Sequence, residues 1–258
     1  MTWELKCGRW QDVLADVAHV DHVVTDPPYS ARTHEGHNNA EDLDGKIGRH
    51  PRANGGFDRS RSRSRIEYEG WQPSDVEEFV DSWAPRVQSW MACLTDSDLQ
   101  RHYQASYKVN GLTDFQPVPC VVRGMTVRLA GDGPSSWAVY LMVGRTKAAH
   151  GWGTLCGAYD GPQGERLIAG AKSLALMRKI VRDYSRPGDL ICDPFAGSGT
   201  TLLAAVMEGR NAIGAEMDPG RYQIARERLE AFDRNPQLPG VVMHAEQTSM
   251  ADLGEPAK

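Results

Sequence analysis

Residues 189–201, DLICDPFAGSGTT, limit what this 258-residue chain can fold into more than any other stretch. Leu190, Ile191 and Cys192 form a short apolar run without polar alternation, the pattern of a strand buried on both faces of a parallel sheet. The run stops at Asp193-Pro194, because proline lacks the N–H that a central strand needs. Gly197 and Gly199 then permit a tight turn that brings backbone N–H groups close to a ligand. Thr200, Thr201 and the apolar run 202–206 open a helix. Strand, glycine turn and helix begin a nucleotide-binding unit. Residues 211–215 supply the next strand, which ends at Glu216. An acid at the tip of that second strand is where a ribose diol is held.

The turn contains no GxGxxG, and no lysine follows its glycines as a phosphate-binding loop would require. A di- or triphosphate is therefore disfavoured, and a ligand with adenosine but no phosphate fits better. DPFAGSGTT followed by AIGAE resembles the S-adenosylmethionine site of the DNA methyltransferases that modify amino groups. The resemblance implies that Asp193 pairs with the methionyl ammonium and that Glu216 takes the ribose hydroxyls. Pro194, Phe195, Ala196, Gly197, Ser198, Gly199 and Thr200 would form the cofactor turn.

A second motif lies far upstream. Residues 20–25, VDHVVT, read as a buried strand, and they run into Asp26-Pro27-Pro28-Tyr29. Two consecutive prolines fix an extended backbone and end the strand. Asp26 and Tyr29 are then held at a strand's carboxyl end, where open α/β sheets place their chemistry. DPPY in this context resembles the catalytic motif of enzymes that methylate an exocyclic amino group of a base. Because it precedes the cofactor turn, the order is similar to the beta arrangement of that family, a circular permutation of the usual one.

The resemblance implies a mechanism. A base amino group is a poor nucleophile, since its lone pair is delocalised into the ring. Asp26 and the carbonyl of Pro27 would accept its two hydrogens and draw the nitrogen toward tetrahedral geometry. The base would first leave the duplex, and Tyr29 would stack on it. Adenine is favoured as the target, because cytosine-amino enzymes of the family lean to Ser in the first motif position; cytosine-N4 stays the alternative. RNA or protein glutamine substrates go with Asn in that position. A non-catalytic DNA-binding module that keeps the fold is the contrasting class. The family includes restriction–modification enzymes, and a brief recognition segment suggests a solitary enzyme of the kind phages carry.

The expected fold is α/β: a Rossmann-like methyltransferase sheet, mostly parallel, with a closing antiparallel strand and permuted motifs, in one domain over 1–258. Patterning predicts a strand over 3–7, a helical turn over 10–15, and a helix begun by Pro73-Ser74-Asp75 within 72–91. It further predicts a strand over 90–94 and a helix over 96–109 capped by Asp96 or Ser97. Strands over 116–123 and 136–144, joined by a glycine-rich turn, resemble the pair that closes the family's sheet. Helices are expected over 172–184 and 219–232. The stretch 146–170 is glycine-rich and irregular, and by resemblance it is a short target-recognition segment. Lys172 matches the family's cofactor-side motif, although the His-Pro-Thr-Gln that precedes that lysine in relatives is missing.

Net charge is −5, so DNA contact requires a local basic patch. Residues 30–70 read as a loop or lid, and within it Arg59, Arg61, Arg63 and Arg65 form the basic run beside DPPY. That run reads equally as a solvated loop. Five scattered cysteines without a CxxC point to a reducing cytoplasm and no zinc knuckle, and no run reaches membrane-spanning length. Double-stranded DNA is the implied partner, S-adenosylmethionine the implied cofactor, and no metal is called for; a homodimer is compatible with the resemblance. Pro119-Cys120 reads as strand, not as a nucleophile. His34 and His37 have no cysteine partners for zinc. Many relatives carry Gly-Asp near the N-terminus, where the Asp contacts adenine. This chain has Gly8-Arg9, with Asp12 following.

Overall fold

The computed structural model describes residues 1–33, 68–123, 138–162 and 170–235. The glycine-rich turn expected after residue 123, most of the basic loop with its four arginines, and the two histidines His34 and His37 lie outside them.

Among the described residues a single sheet carries nine strands: β1 (Trp3–Cys7), β2 (Val20–Thr25), β3 (Val87–Thr95), β4 (Thr113–Asp114), β5 (Val118–Arg123), β6 (Ala138–Arg145), β7 (Tyr159–Pro162), β8 (Leu190–Asp193) and β9 (Asn211–Glu216). The spatial order is β1-β9-β8-β2-β3-β6-β5-β7, with β4 beside β6. The pairs β1–β9, β9–β8, β8–β2 and β2–β3 are parallel, and β6 runs antiparallel to β3, β4 and β5. The expected mostly parallel sheet with a closing antiparallel strand is therefore what forms.

Helices cover both faces. On one lie α1 (Trp10–Val13), α2 (Pro73–Trp83) and α3 (Gln100–Val109), which bury Trp10, Val76, Phe79, Val80, Trp83, Tyr103 and Tyr107 against Val23, Met91, Cys93 and Cys192. On the other lie α4 (Leu174–Tyr184), α5 (Thr200–Met207) and α6 (Pro219–Arg234), packed on Val24, Ala92, Leu94 and Ile191. Consecutive strand residues point to opposite faces, so with both faces covered the central strands must be apolar throughout. β8 satisfies this up to Asp193, whereas β2 is interspersed with polar residues whose side chains are hydrogen-bonded: Asp21 accepts from Leu190 N, His22 meets Asp189 and Thr25 donates to Asp193. β8 leads leftward through α5 to β9, while β2 leads rightward through α2 to β3. The crevice between their carboxyl ends is thus the switch point of the sheet, the place where an open α/β sheet receives ligands.

Several expected elements differ. The helix expected within 72–91 ends at Trp83, and the strand expected over 90–94 already starts at Val87. A short strand, β7, lies inside the stretch read as irregular and pairs parallel with β5 at the sheet edge. The helix expected from residue 96 begins at Gln100, with Leu99 as its N-cap and no side-chain cap bond. The helix expected from Lys172 begins at Leu174, which leaves Lys172 outside it.

Trp152, from the glycine-rich stretch 146–170, packs edge-on against Trp90 and His22 and under the Arg186 guanidinium, 3.9 Å from its ring centroid. Trp90 pairs with the carboxyl-terminal Arg145 of β6 near the start of β3. That part of the stretch therefore docks away from the carboxyl end of β3, and Asp26 lies at the carboxyl end of the neighbouring β2.

Candidate active site

The two motifs meet because β2 and β8 are neighbours in register, with Val23 opposite Cys192. The Thr25 hydroxyl donates to Asp193 Oδ1 at 2.6 Å, a buried link between residues 168 apart in sequence. Around the junction opens a cavity of about 750 Å³, within the usual range for a small-molecule site. Asp26 and Pro28 of the tetrapeptide line it, as do Asp193, Pro194, Phe195, Ala196, Gly197, Ser198, Thr200, Glu216 and Lys172. Pro27, Tyr29 and Gly199 do not.

Gly199 has a structural task. Its φ is +75°, and a Cβ there would stand 3.0 Å from the Ala225 Cβ, so the turn can close on α6 only without a side chain. Arg228 of α6 pins the same turn: its Nη1 donates to the Ser198 carbonyl at 2.5 Å and to Thr200 Oγ1 at 3.1 Å. Glu216 closes the turn from the β9 side. Its Oε2 accepts from Gly197 N at 2.8 Å and its Oε1 from Asp218 N at 2.9 Å. Burial nonetheless raises the Glu216 carboxyl above its ordinary value.

Asp193 is almost fully buried, and burial pushes its carboxyl up to about 6, even though Thr25, Thr201 and the Phe195 N–H all donate to it. The nearby charge of Asp26 pushes in the same direction. A buried carboxylate of this kind gains from a cation placed beside it. Phe195 stands in an aromatic wall, edge-on to Trp71, Phe79 and Trp10.

At the tetrapeptide, the Tyr29 hydroxyl donates to Asp26 Oδ1 at 2.9 Å, and the Lys172 Nζ lies 2.6 Å from Asp26 Oδ2. The Tyr29 ring lies beneath that ammonium, 4.9 Å from its centroid. Lys172 therefore contacts the tetrapeptide, although the sequence assigned it to the cofactor. Cys120 is a buried residue of β5, and burial pushes its thiol up to about 12, far from a thiolate nucleophile.

Other residues join the site that the sequence did not assign to it, although Gly8-Arg9 stands where many relatives carry Gly-Asp. Gly8, Arg9 and Gln11 line the far side of the cavity beyond Glu216, and Asp12 does not. Residues 68–71 run across the mouth, where Tyr68 lies against the Arg221 guanidinium at 4.9 Å and Trp71 N donates to the Tyr29 carbonyl at 2.8 Å. A Cβ on Gly70 would fall 2.5 Å from the Ala31 backbone, so this strap presses directly on the chain leaving DPPY.

Asp96 holds the same chain from below. Its Oδ2 accepts from Ser30 N at 3.0 Å, Ser30 Oγ at 2.5 Å and Thr33 Oγ1 at 2.5 Å, and its Oδ1 accepts from Asp98 N and Leu99 N. Burial alone would raise this carboxyl, but the bonds from Ser30 and Thr33 outweigh it and the net shift is downward. A depressed folded-state value means stability that is full above the ordinary Asp value of 3.8 and is lost as pH falls below it. We therefore expect Asp96→Asn to cost on the order of 2 kcal/mol near neutral pH, the scale of a broken buried hydrogen-bond network. In urea melts the gap between wild type and variant should shrink below about pH 4, where the wild-type group protonates.

Among the described residues no cluster of His, Cys, Asp and Glu could hold a metal ion, and no helix is long and apolar enough to cross a membrane.

Residues 152–227 match a family model described as DNA methylase, whose name covers adenine-N6 and cytosine-N4 enzymes. The family-model match covers the half of the site that carries Lys172, the glycine turn and Glu216. The type II methyltransferase M.HinfI of Haemophilus influenzae is 35% identical over 74 residues, which is 29% of this chain and 21% of that protein. The DNA adenine methyltransferase YhdJ of Escherichia coli is 41% identical over 59 residues, or 23% of this chain and 20% of that protein. The aligned stretch thus spans about a fifth of these relatives' length. The solved M1.HpyAVI–SAM complex superposes with a TM-score of 0.62 at 21% identity, covering 88% of this chain and 100% of the other. The chain is therefore similar in sequence to a DNA methylase family model over residues 152–227, and over most of its length it shares the fold of M1.HpyAVI.

Proposed function

We propose that this protein transfers a methyl group from S-adenosylmethionine to the exocyclic amino group of a base in double-stranded DNA, with adenine N6 the favoured target. The observation that carries the reading is the Thr25–Asp193 junction, which sets the Asp26 tetrapeptide and the Gly197–Gly199 turn on one cavity at the switch point. Similarity to DNA adenine and type II methyltransferases supports it.

The residues present fit this cofactor. Asp193 is a buried carboxyl that among the described residues has no ion pair, suited to the methionyl ammonium. Glu216, at the tip of β9, retains lone pairs for a diol after accepting its two backbone bonds. Phe195 offers an apolar wall. Bound there, the cofactor supplies an electrophilic methyl on a sulfonium. Asp26 and the Pro27 carbonyl would accept the amino hydrogens and free the nitrogen lone pair for attack on that methyl. The nitrogen then releases one proton, to Asp26 or to water. Tyr29 stacks on the extruded base, and the role of Arg59, Arg61, Arg63 and Arg65 is to meet the phosphates.

The reading makes a pH prediction. Asp193 titrates near 6 in the free protein and must be ionised to pair with an ammonium. Cofactor affinity should therefore be flat near pH 7 and weaken about tenfold per unit below 6, measurable by calorimetry at pH 5 and pH 7. Asp193→Asn should remove this dependence along with most of the affinity. The choice of base is tested by digesting methylated DNA and weighing the nucleosides: N6-methyldeoxyadenosine supports adenine, and N4-methyldeoxycytidine keeps the mechanism but reverses the choice. A cytosine-N4 activity is the second reading, favoured by the breadth of the matching family.

A further inference from the structure

Lys172 lies between Gly170 and the N-cap of α4, outside any helix, and reaches back to the tetrapeptide. One ammonium does two things there. It takes Asp26 Oδ2 at 2.6 Å, and it covers the Tyr29 ring at 4.9 Å. The Tyr29 hydroxyl takes the other carboxylate oxygen. A base entering this site needs an Asp26 oxygen for its amino hydrogen and the face of Tyr29 for stacking. Both are already held by Lys172.

We infer that Lys172 is a place-holder for the target base, occupying the base's acceptor and its stacking face until the base displaces it. The inference rests on the methyltransferase reading of the site. It sets Lys172 apart from the residues that hold the cofactor turn, which are fixed by backbone bonds and burial. The Lys172 head group also makes a 3.4 Å bond to the Gly170 carbonyl. Gly170 has a φ of +82°, and among the described residues nothing lies within 4 Å of where its Cβ would be. The lysine stem is long and flexible, so leaving Asp26 requires side-chain rotation only. The pair is part-buried, with side chains 11% and 22% exposed, and this remaining exposure gives the ammonium a way off Asp26.

Departure of the ammonium leaves Asp26 an acceptor-only carboxylate, the form that an amino hydrogen requires. The flipped nucleotide brings its own phosphate, which gives the displaced cation a new counter-charge. In the absence of DNA the same pairing spares Asp26 from standing without a cation close to the buried Asp193, which already feels its charge.

The test is steady-state kinetics of wild type, Lys172→Met and Lys172→Arg on unmethylated plasmid DNA, with thermal melts to confirm folding. With no ammonium to displace, Lys172→Met should lower KM for DNA about tenfold and raise kcat/KM through that term. Lys172→Arg restores the ion pair and the ring contact, so its KM should stay near that of the wild type. A Lys172→Met enzyme that loses kcat at unchanged KM overturns the inference, because the lysine would then position Asp26 during the reaction. Identical constants in all three proteins overturn it as well. A wild type that methylates no DNA removes the methyltransferase reading itself, an outcome distinct from either of these.

Discussion

Asp26→Ala should lower methyl transfer about a thousandfold, the scale of losing one preorganised group at a reacting centre, or about 4 kcal/mol of barrier. On the proposed reading the substitution deletes the acceptor for the base's amino hydrogen, and it leaves the fold's supports in place. The tetrapeptide backbone is still held by Asp96 through Ser30 and Thr33, and by the strap through Trp71. Cofactor affinity should not fall. Asp26 raises the carboxyl of Asp193 by its charge, so removing it makes Asp193 easier to ionise and binding slightly tighter. Single-turnover transfer and calorimetry on one preparation check both halves. A variant that retains transfer would remove Asp26 from the chemistry. One that loses cofactor binding would show that the two motifs are not separable.

The second large effect is expected at Glu216. Glu216→Ala strips the acceptor from Gly197 N and Asp218 N, the two bonds that shape the turn, and also removes the group placed to hold the ribose. Each buried donor left unsatisfied costs about 1–3 kcal/mol, so cofactor affinity should weaken about a hundredfold or more. Glu216→Gln keeps one acceptor oxygen but turns an NH2 toward a backbone N–H, and about a tenfold loss is expected. Calorimetric titration with cofactor measures both. Wild-type affinity in Glu216→Ala would mean that the ligand does not lie along the β9 tip.

These residues were legible in the sequence because local stereochemistry sets them. Asp26-Pro27-Pro28 must end a strand in an extended conformation, and Gly199 must occupy a left-handed turn, whatever surrounds them. The apolar runs of β2, β8 and β9 likewise leave little choice in a sheet covered on both faces.

What escaped was fixed by tertiary contact. Asp96 does take backbone N–H groups of the turn before α3 through Oδ1, as a cap would, but its other oxygen goes to Ser30 and Thr33, some sixty residues upstream, and α3 itself starts later, at Gln100, with no side-chain cap bond. Lys172 fits a helical pattern, yet α4 starts two residues on and frees it to reach Asp26. β7 has the sequence YDGP, with a glycine and a terminal proline that argue against a strand; as a four-residue edge strand beside β5 it tolerates both. Tyr68 and Trp71 follow a stretch with no periodicity, so nothing local marks them as the cover of a cavity. The gain from structure is thus concentrated in the groups that hold the catalytic turn.

The most direct measurement is incubation of the purified protein with methyl-labelled S-adenosylmethionine and unmethylated duplex DNA, followed by counting of label in the DNA. Labelled DNA from the wild type, and none from Asp26→Ala, is the predicted result. Cofactor bound by calorimetry with no label passing to DNA would contradict the account.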